Sequence, residues 1–390
     1  MQAVELFAGA GGLGLGVSKA GFKPRIVAEW NRWCCETIRE NRSRARPLAH
    51  WPEPIEGDVR FIDFADLEGK VELVSGGPPC QPFSLGGRHG GNSDARDMWP
   101  EAVRAVRQIR PKAFIFENVK GLTRATFANY FSYIILQLSY PSIARVEDES
   151  WDEHWTRLQR HHTSRSEGTE EYRVVFSVLN AADYGVPQRR ERVVFVGFRA
   201  DVGCEWSFPR ATHSLDALLW NQCRAQEYWE RHKLSHSRRT LDAKFYARGM
   251  SLSSKPPGKP WRTTRDAIFD LPDPETKPRL AQAILNHKFQ SGARSYPGHT
   301  GSPLDEPAKT LKAGVHGVPG GENMLVREDG SVRYFTVRES ARLQCFPDNF
   351  VFHGAWSEAM RQLGNAVPVD LAAVVAKSVK AHLNSEMKGG

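Results

Sequence analysis

Short apolar runs alternate with amphipathic stretches through the first 200 residues. Runs at Val4–Phe7, Arg25–Glu29, Val71–Ser75, Ala113–Glu117, Val174–Leu179 and Val193–Phe198 have the length and continuity of buried strands. Helical patterns, such as Trp33–Asn41 and Met98–Ile109, lie between several of them. This rhythm predicts an α/β unit with a mostly parallel sheet and helices on both faces. From residue 145 to 171 the chain turns polar and charged, which predicts an exposed insertion. Trp151 and Trp155, four apart within it, are spaced to dock a short helix. From 208 to 333 prolines, glycines and basic residues dominate, and Lys255-Pro256-Pro257-Gly258-Lys259-Pro260 excludes a helix interior or a central strand. Helical patterns return at Val337–Cys345, Glu358–Leu363 and Val369–Leu383. The organisation read from this is a first domain over 1–207, a smaller loop-rich domain over 208–333, and a segment, 334–390, that rejoins the first.

Charge adds a partner. The net charge is +8, and residues 210–312 hold 18 Lys and Arg against 10 Asp and Glu, so this one stretch carries as much excess as the whole chain. Such clustering points to a polyanion. No apolar run approaches the length of a bilayer crossing, and Met1–Phe7 reads as a strand rather than a leader, so the expectation is a cytoplasmic protein. The six cysteines, at 34, 35, 80, 204, 223 and 345, show no metal-ligand spacing and are expected as free thiols, with no metal.

Chemistry enters at strand ends. Cys80 stands in Pro78-Pro79-Cys80-Gln81-Pro82-Phe83-Ser84, just past Gly76-Gly77, where no regular element continues. The carboxyl end of such a strand is where α/β sheets bind ligands, and a thiol there suits a nucleophile. The first strand ends in Phe7-Ala8-Gly9-Ala10-Gly11-Gly12-Leu13-Gly14, a turn that lets a ligand approach the backbone. The second ends in Glu29-Trp30, an acid suited to ribose hydroxyls beside an aromatic suited to a base; Asp58-Val59 adds an acceptor for an exocyclic amine. Together they suggest an adenosyl ligand without phosphates. Glu117 follows Phe114-Ile115-Phe116, surroundings that raise a carboxyl pKa and suit donation to a ring nitrogen. Gln188-Arg189-Arg190-Glu191-Arg192 concentrates guanidinium groups, which bind phosphates and base oxygens.

In this order, the glycine turn, Pro79-Cys80-Gln81-Pro82-Phe83-Ser84, Glu117-Asn118-Val119, Gln188–Arg192, Arg338–Gln344 and Gly364-Asn365-Ala366-Val367-Pro368 resemble the bacterial cytosine-C5 DNA methyltransferases of type II restriction-modification systems. The resemblance implies a Rossmann-like, class I S-adenosylmethionine-dependent methyltransferase fold, with residues 208–333 as the target-recognition domain. It implies S-adenosylmethionine held by Phe7, Gly9, Gly11, Gly12, Glu29, Trp30, Asp58, Val59, Pro79, Asn365 and Val367. Cys80 would be the nucleophile, Glu117 would bond N3 and the amino group of the target cytosine, and Arg190 and Arg192 would grip the target nucleotide. Gln81 and Ser84 would meet DNA, and the Ser84–Asp94 loop would close over a flipped base. The family's Thr-aliphatic pair is best matched by Thr310-Leu311, with Arg294, His299 and Lys312 as neighbours able to read bases or phosphates. The partner implied is double-stranded DNA, met as a monomer, beside a restriction endonuclease that acts on the same site without direct contact.

Three rival readings differ in testable ways. A tRNA cytosine-5 methyltransferase shares the catalytic motifs but carries a Cys-Phe-Thr signature that this chain lacks. A catalytically silent DNA-binding homologue would not need Cys80, Glu117 and Arg192. A nicotinamide dehydrogenase gives no use to the prolines around Cys80. The DNA sequence recognised, and the base that removes the C5 proton, are not written in the motifs.

Overall fold

The computed structural model describes residues 1–43, 46–79, 97–164, 171–203, 205–313 and 323–389. A seven-stranded sheet organises the first 200 residues. It comprises β1 (Gln2–Leu6), β2 (Lys23–Glu29), β3 (Ile55–Glu56), β4 (Leu73–Gly76), β5 (Ala113–Val119), β6 (Tyr172–Asn180) and β7 (Glu191–Arg199). Its order is β3-β2-β1-β4-β5-β7-β6, parallel through β5, with β7 antiparallel to both neighbours. The strand order reverses between β1 and β4, so a crevice opens there at the carboxyl ends. The expected strands are all present; β3, two residues long, carried no periodic signal.

Helices cover both faces. In chain order these are α1 (Gly12–Lys19), α2 (Arg32–Asn41), α3 (Trp99–Ile109), α4 (Ala128–Ser139) and α5 (Trp151–Thr163), with α3, α4 and α5 on one face of the sheet and α1 on the other. The Phe114, Phe116, Phe195 and Trp99 rings pack together beneath α3 and α4. Each such buried aromatic contributes roughly 1.5–3 kcal/mol. Five short helices follow between 208 and 333: α6 (Leu215–Leu219), α7 (Glu227–Arg231), α8 (Ala243–Ser251), α9 (Thr264–Ile268) and α10 (Pro278–Gln282). Two small sheets accompany them, β8 (His213–Ser214) with β9 (Lys259–Pro260), and β10 (Met324–Val326) with β11 (Val332–Tyr334). A buried polar network holds this region: Arg265 pairs with Asp305, which also accepts from Tyr228 Oη at 2.7 Å. Much of the basic excess is therefore internally paired, since Arg231, Arg238 and Arg248 also meet carboxylates.

The chain then returns through α11 (Val337–Leu343), α12 (Trp356–Asn365) and α13 (Val369–Gly389). Helix α13 lies on α1, where Gly16 lets the Ala372 methyl into contact. The two ends of the chain share one core with β1, β4, β5 and β7.

Over its described residues the 145–171 stretch is mostly exposed, and one face of it docks on the first domain. Helix α5 has a Ser150/Glu153 capping box, and it buries His154 and Leu158 against α4. Trp151 and Trp155 stack at 5.8 Å and join the main core. The short helix docks as the spacing of the two tryptophans predicts, and its docking face is completed by rings with polar edges. His154 Nδ1 accepts from Tyr133 Oη at 2.7 Å, and its Nε2–H donates to the Ile143 carbonyl at 2.8 Å. In this arrangement the imidazole is neutral, the form that burial favours.

Burial lowers the His154 pKa from its ordinary value near 6.5. The unfolded chain therefore takes up a proton that the docked helix resists, and docking weakens as pH falls through about 6.5. Amide hydrogen exchange across residues 151–163, corrected for intrinsic rates, should show less protection at pH 5.5 than at 7.5. The difference should vanish in His154→Gln; equal protection at both pH values in the unaltered protein would refute the assignment.

Candidate active site

The crevice between β1 and β4 is built from close backbone approaches. Phe7, leaving β1, holds φ +53°, a left-handed conformation unusual for an aromatic residue and a mark of functional strain. Gly9 and Gly11 also have positive φ, and a Cβ on Gly9 would meet nothing within 4 Å, so the turn is open on its ligand side. Gly12 faces inward: a Cβ there would lie 2.5 Å from the Val367 carbonyl oxygen. The turn after α12 is thus packed on the turn after β1, and Asn365 is exposed beside buried Val367. Glycines 9, 11 and 14 also satisfy the Gly-x-Gly-x-x-Gly spacing of dinucleotide turns, so spacing alone does not decide the ligand.

Glu29 ends β2 almost fully buried. Its two oxygens accept from Gly9 N and Asn31 N, each at 2.7 Å. Burial raises its pKa, while those N–H bonds favour the carboxylate. Next to it Trp30 is 74% exposed, a large flat ring presented at a strand end. Val59 is buried, whereas Asp58 spends its carboxylate on Arg60, with Nη2–Oδ2 at 2.6 Å. An amine donor would have to share that carboxylate with Arg60. Phe61, 89% exposed on the next turn, is a further aromatic that the strand pattern did not single out.

Glu117 and Arg192 form the second half of the site. Antiparallel pairing sets Glu117 opposite Val194 and Val119 opposite Arg192, so the two side chains are diagonal neighbours on one face. Arg192 Nε lies 2.6 Å from Glu117 Oε1, and both side chains are nearly buried. Burial pushes the Glu117 carboxyl up, against the opposing pull of Arg192 and Arg190. A Cβ on Gly77 would come within 3.2 Å of Glu117 Oε2. Pro78 accepts from Asn118 Nδ2 at 2.9 Å, and Pro79 accepts from Met98 N at 3.2 Å. The segment leading to Cys80 is therefore pinned against the acid. Cys80, Gln81, Ser84 and the rest of the Ser84–Asp94 loop lie outside the described residues.

Two residues expected at the nucleotide lie inside the protein. Arg190 is fully buried; Nη1 donates to the Leu311 carbonyl at 3.0 Å and Nη2 to the Gly364 carbonyl at 2.7 Å. Both Nη groups are used as an internal strut, and Nε is buried without a hydrogen-bond partner among the described residues. Leu311 is likewise buried, with its N–H on Gln188 Oε1. Thr310 Oγ1 donates to the Arg189 carbonyl at 2.7 Å, so this threonine joins the recognition stretch to the catalytic strand. Sequence motifs mark such residues without giving their direction. Arg294 and Lys312 are exposed, and His299 stacks on Tyr296 across a tight turn.

Among the described residues no cluster of His, Cys, Asp and Glu is arranged to hold a metal, and no helix is long and apolar enough to cross a membrane. Cys34, Cys35, Cys223 and Cys345 are free thiols.

This constellation is that of a known class. The profile described as C-5 cytosine-specific DNA methylase matches residues 1–140 and 159–381, and the chain belongs to that family. The gap in the match falls on residues 141–158, which include most of α5. Among curated relatives, the chain is 33% identical to the type II methyltransferase M.PspPI of Psychrobacter sp. (strain TA137), over 99% of this chain and 80% of that protein. It is 31% identical to the type II methyltransferase M.Eco47II of Escherichia coli, over 96% and 78% of the two chains. The crystal structure of the S. pombe Dnmt2 methyltransferase shares the fold, with a TM-score of 0.56, 16% identity, and 99% and 98% coverage.

Replacing Arg190 with Met keeps most of the volume and leaves two buried carbonyls without donors, each worth roughly 1–3 kcal/mol. Arg190→Met should therefore lower the urea unfolding free energy by about 2–5 kcal/mol. A loss under about 0.5 kcal/mol would remove the strut from the account.

Proposed function

We propose that the chain methylates C5 of cytosine within a specific short sequence of duplex DNA, as the modification enzyme of a type II restriction-modification system. The observation that carries the reading is the buried Glu117–Arg192 pair set against Gly77, three residues before Cys80, and beside the open glycine turn.

The residues at the crevice fit S-adenosylmethionine. Glu29, held between two backbone N–H groups, would take the ribose hydroxyls, and exposed Trp30 would cover the adenine. Phe7, Gly9, Gly11 and Gly12 would line the methionine side, with Asp58, Val59, Pro79, Asn365 and Val367 completing the wall. The cofactor supplies an electrophilic methyl group, and no metal has a role.

Cytosine C5 is a poor nucleophile, and the protein's work is to change that. The Cys80 thiolate adds to C6, its sulfur forming the new bond while the C5=C6 pair moves into the ring towards N3. Glu117, with its raised pKa, meets N3 and the amino group with a proton and stabilises the charge arriving there. Arg192 fixes the carboxyl's orientation. After methylation a base takes the C5 proton, the electrons re-form C5=C6, the thiolate leaves, and the N3 proton returns to Glu117.

Residues 208–333 act as the target-recognition domain, with Arg294 and Lys312 among its exposed cations and Gln81 and Ser84 meeting DNA from the catalytic side. The enzyme works as a monomer in the bacterial cytoplasm, beside an endonuclease of the same specificity. The named relatives, both type II methyltransferases, support this assignment.

Incubation with S-adenosylmethionine and mixed-sequence duplex, followed by bisulfite sequencing, should place new 5-methylcytosine in one sequence context. No new methylcytosine in DNA, or methylation of tRNA alone, would sink the reading. Cys80→Ser should abolish turnover and keep DNA binding, and Glu117→Gln should lower kcat by roughly 100-fold or more.

A further inference from the structure

One buried acid close to the cofactor crevice has no place in the chemistry above. Glu5, on β1, is 2% exposed, and Ser75 opposite it on β4 is fully buried. Ser75 Oγ is hydrogen-bonded to Glu5 Oε2 and lies 3.5 Å from the Val4 carbonyl oxygen. The backbone N–H of Gly14, in the first turn of α1, also donates to the Glu5 carboxyl. A Cβ on Gly14 would sit 3.1 Å from that carboxyl carbon and 2.7 Å from the Trp51 ring, so the glycine lets the turn settle onto the acid.

Among the described residues no cation offsets Glu5. Its neighbours are Ser75 on β4, Val27 opposite on β2, Gly14 on α1 and the Trp51 ring over the turn, and none carries charge. An ionised carboxylate so placed is costly. One proton arrangement satisfies every partner. The Glu5 O–H donates to Ser75 Oγ, the Ser75 O–H turns to the Val4 carbonyl, and a carboxyl oxygen accepts from Gly14 N–H.

We propose that Glu5 is a positioning residue for the cofactor: as a neutral acid it fastens β1, β4 and the first turn of α1 together, and thereby holds the glycine turn in its ligand-accepting form. The inference rests on the S-adenosylmethionine reading above. Burial pushes the Glu5 pKa from the ordinary value near 4.5 up to about 8. The neutral acid's contribution to stability is therefore complete below pH 4.5 and lost as pH rises through about 8. Glu29, on β2, is the other buried acid at this turn, and its titration must be separated from that of Glu5.

Glu5→Gln makes that separation, because an amide reproduces the donor and acceptor of the neutral acid and cannot ionise. Binding of S-adenosylhomocysteine is measured by calorimetry from pH 6.5 to 9.5. If only the neutral form is competent, the unaltered protein should lose affinity about 30-fold by pH 9.5. Glu5→Gln should bind within about 3-fold of it at pH 7 and keep that affinity to pH 9.5. Glu5→Leu should bind more weakly throughout, with its defect in KM for S-adenosylmethionine rather than in kcat. Urea unfolding gives a second readout: stability should fall more steeply between pH 6 and 8 in the unaltered protein than in Glu5→Gln, where Glu29 and Glu117 still titrate. Affinity of the unaltered protein that is flat to pH 9.5, a fall that persists in Glu5→Gln, or a Glu5→Gln chain that does not fold would overturn the proposal. Failure of the unaltered protein to bind at pH 7 would instead overturn the cofactor reading on which it stands.

Discussion

The guanidinium of Arg190 is where three distant stretches of chain become one structure. It leaves the segment before β7, donates to Leu311 at the end of the basic region, and donates to Gly364 at the end of α12. Burying a cation costs several kcal/mol unless hydrogen bonds and opposite charge compensate. Here two carbonyls take its Nη groups, and Glu117 supplies the negative charge that offsets repulsion from Arg192. Close packing completes the joint: Gly364 admits the Lys312–Ala313 backbone, and Gly12 admits the Val367 carbonyl. The end of the basic region, the Glu117–Arg192 pair and the glycine turn after β1 are thus fixed to each other largely through main-chain atoms, which leaves little room for one to shift alone.

Three buried glutamates show how one residue type is set to different tasks in this frame. Burial raises the pKa of each. Their partners then divide them. Glu29 accepts two backbone N–H groups, which favour a carboxylate ready for hydroxyl donors. Glu117 faces Arg192, so its proton is held at a site where charge is nearby and adjustable. Glu5 meets only a hydroxyl and one N–H, which suits a neutral acid. Environments that separate the pKa values of like groups are how a single fold assigns binding, proton donation and support.

Much of the catalytic frame was legible in the sequence because it is written in continuous apolar runs and fixed turns. Strands buried on both faces, such as Phe114–Phe116, announce themselves, as do the glycines after β1. The direction of a side chain was far less legible. Arg190 and Leu311 sit in motifs that suggest contact with DNA, yet both point inward, because the register of β7 and the close approach at Gly364 decide where they go. Helix α5 was legible only through its paired tryptophans: the rest of its docking surface uses Tyr–His hydrogen bonds, which a hydropathy pattern counts as polar.

The strain at Phe7 follows from the same economy of space. An aromatic at φ +53° persists only where its surroundings over-determine the backbone. On one side of the turn, Trp51 presses on Gly11 and Gly14; on the other, the α12–α13 turn presses on Gly12. Beneath it Glu5 and Ser75 join β1 to β4. With the backbone held from three directions, Phe7 has no relaxed alternative, and its ring is directed by the fold rather than by the ligand. A turn formed this way is organised before anything binds, so a ligand received there spends little of its binding energy on ordering it.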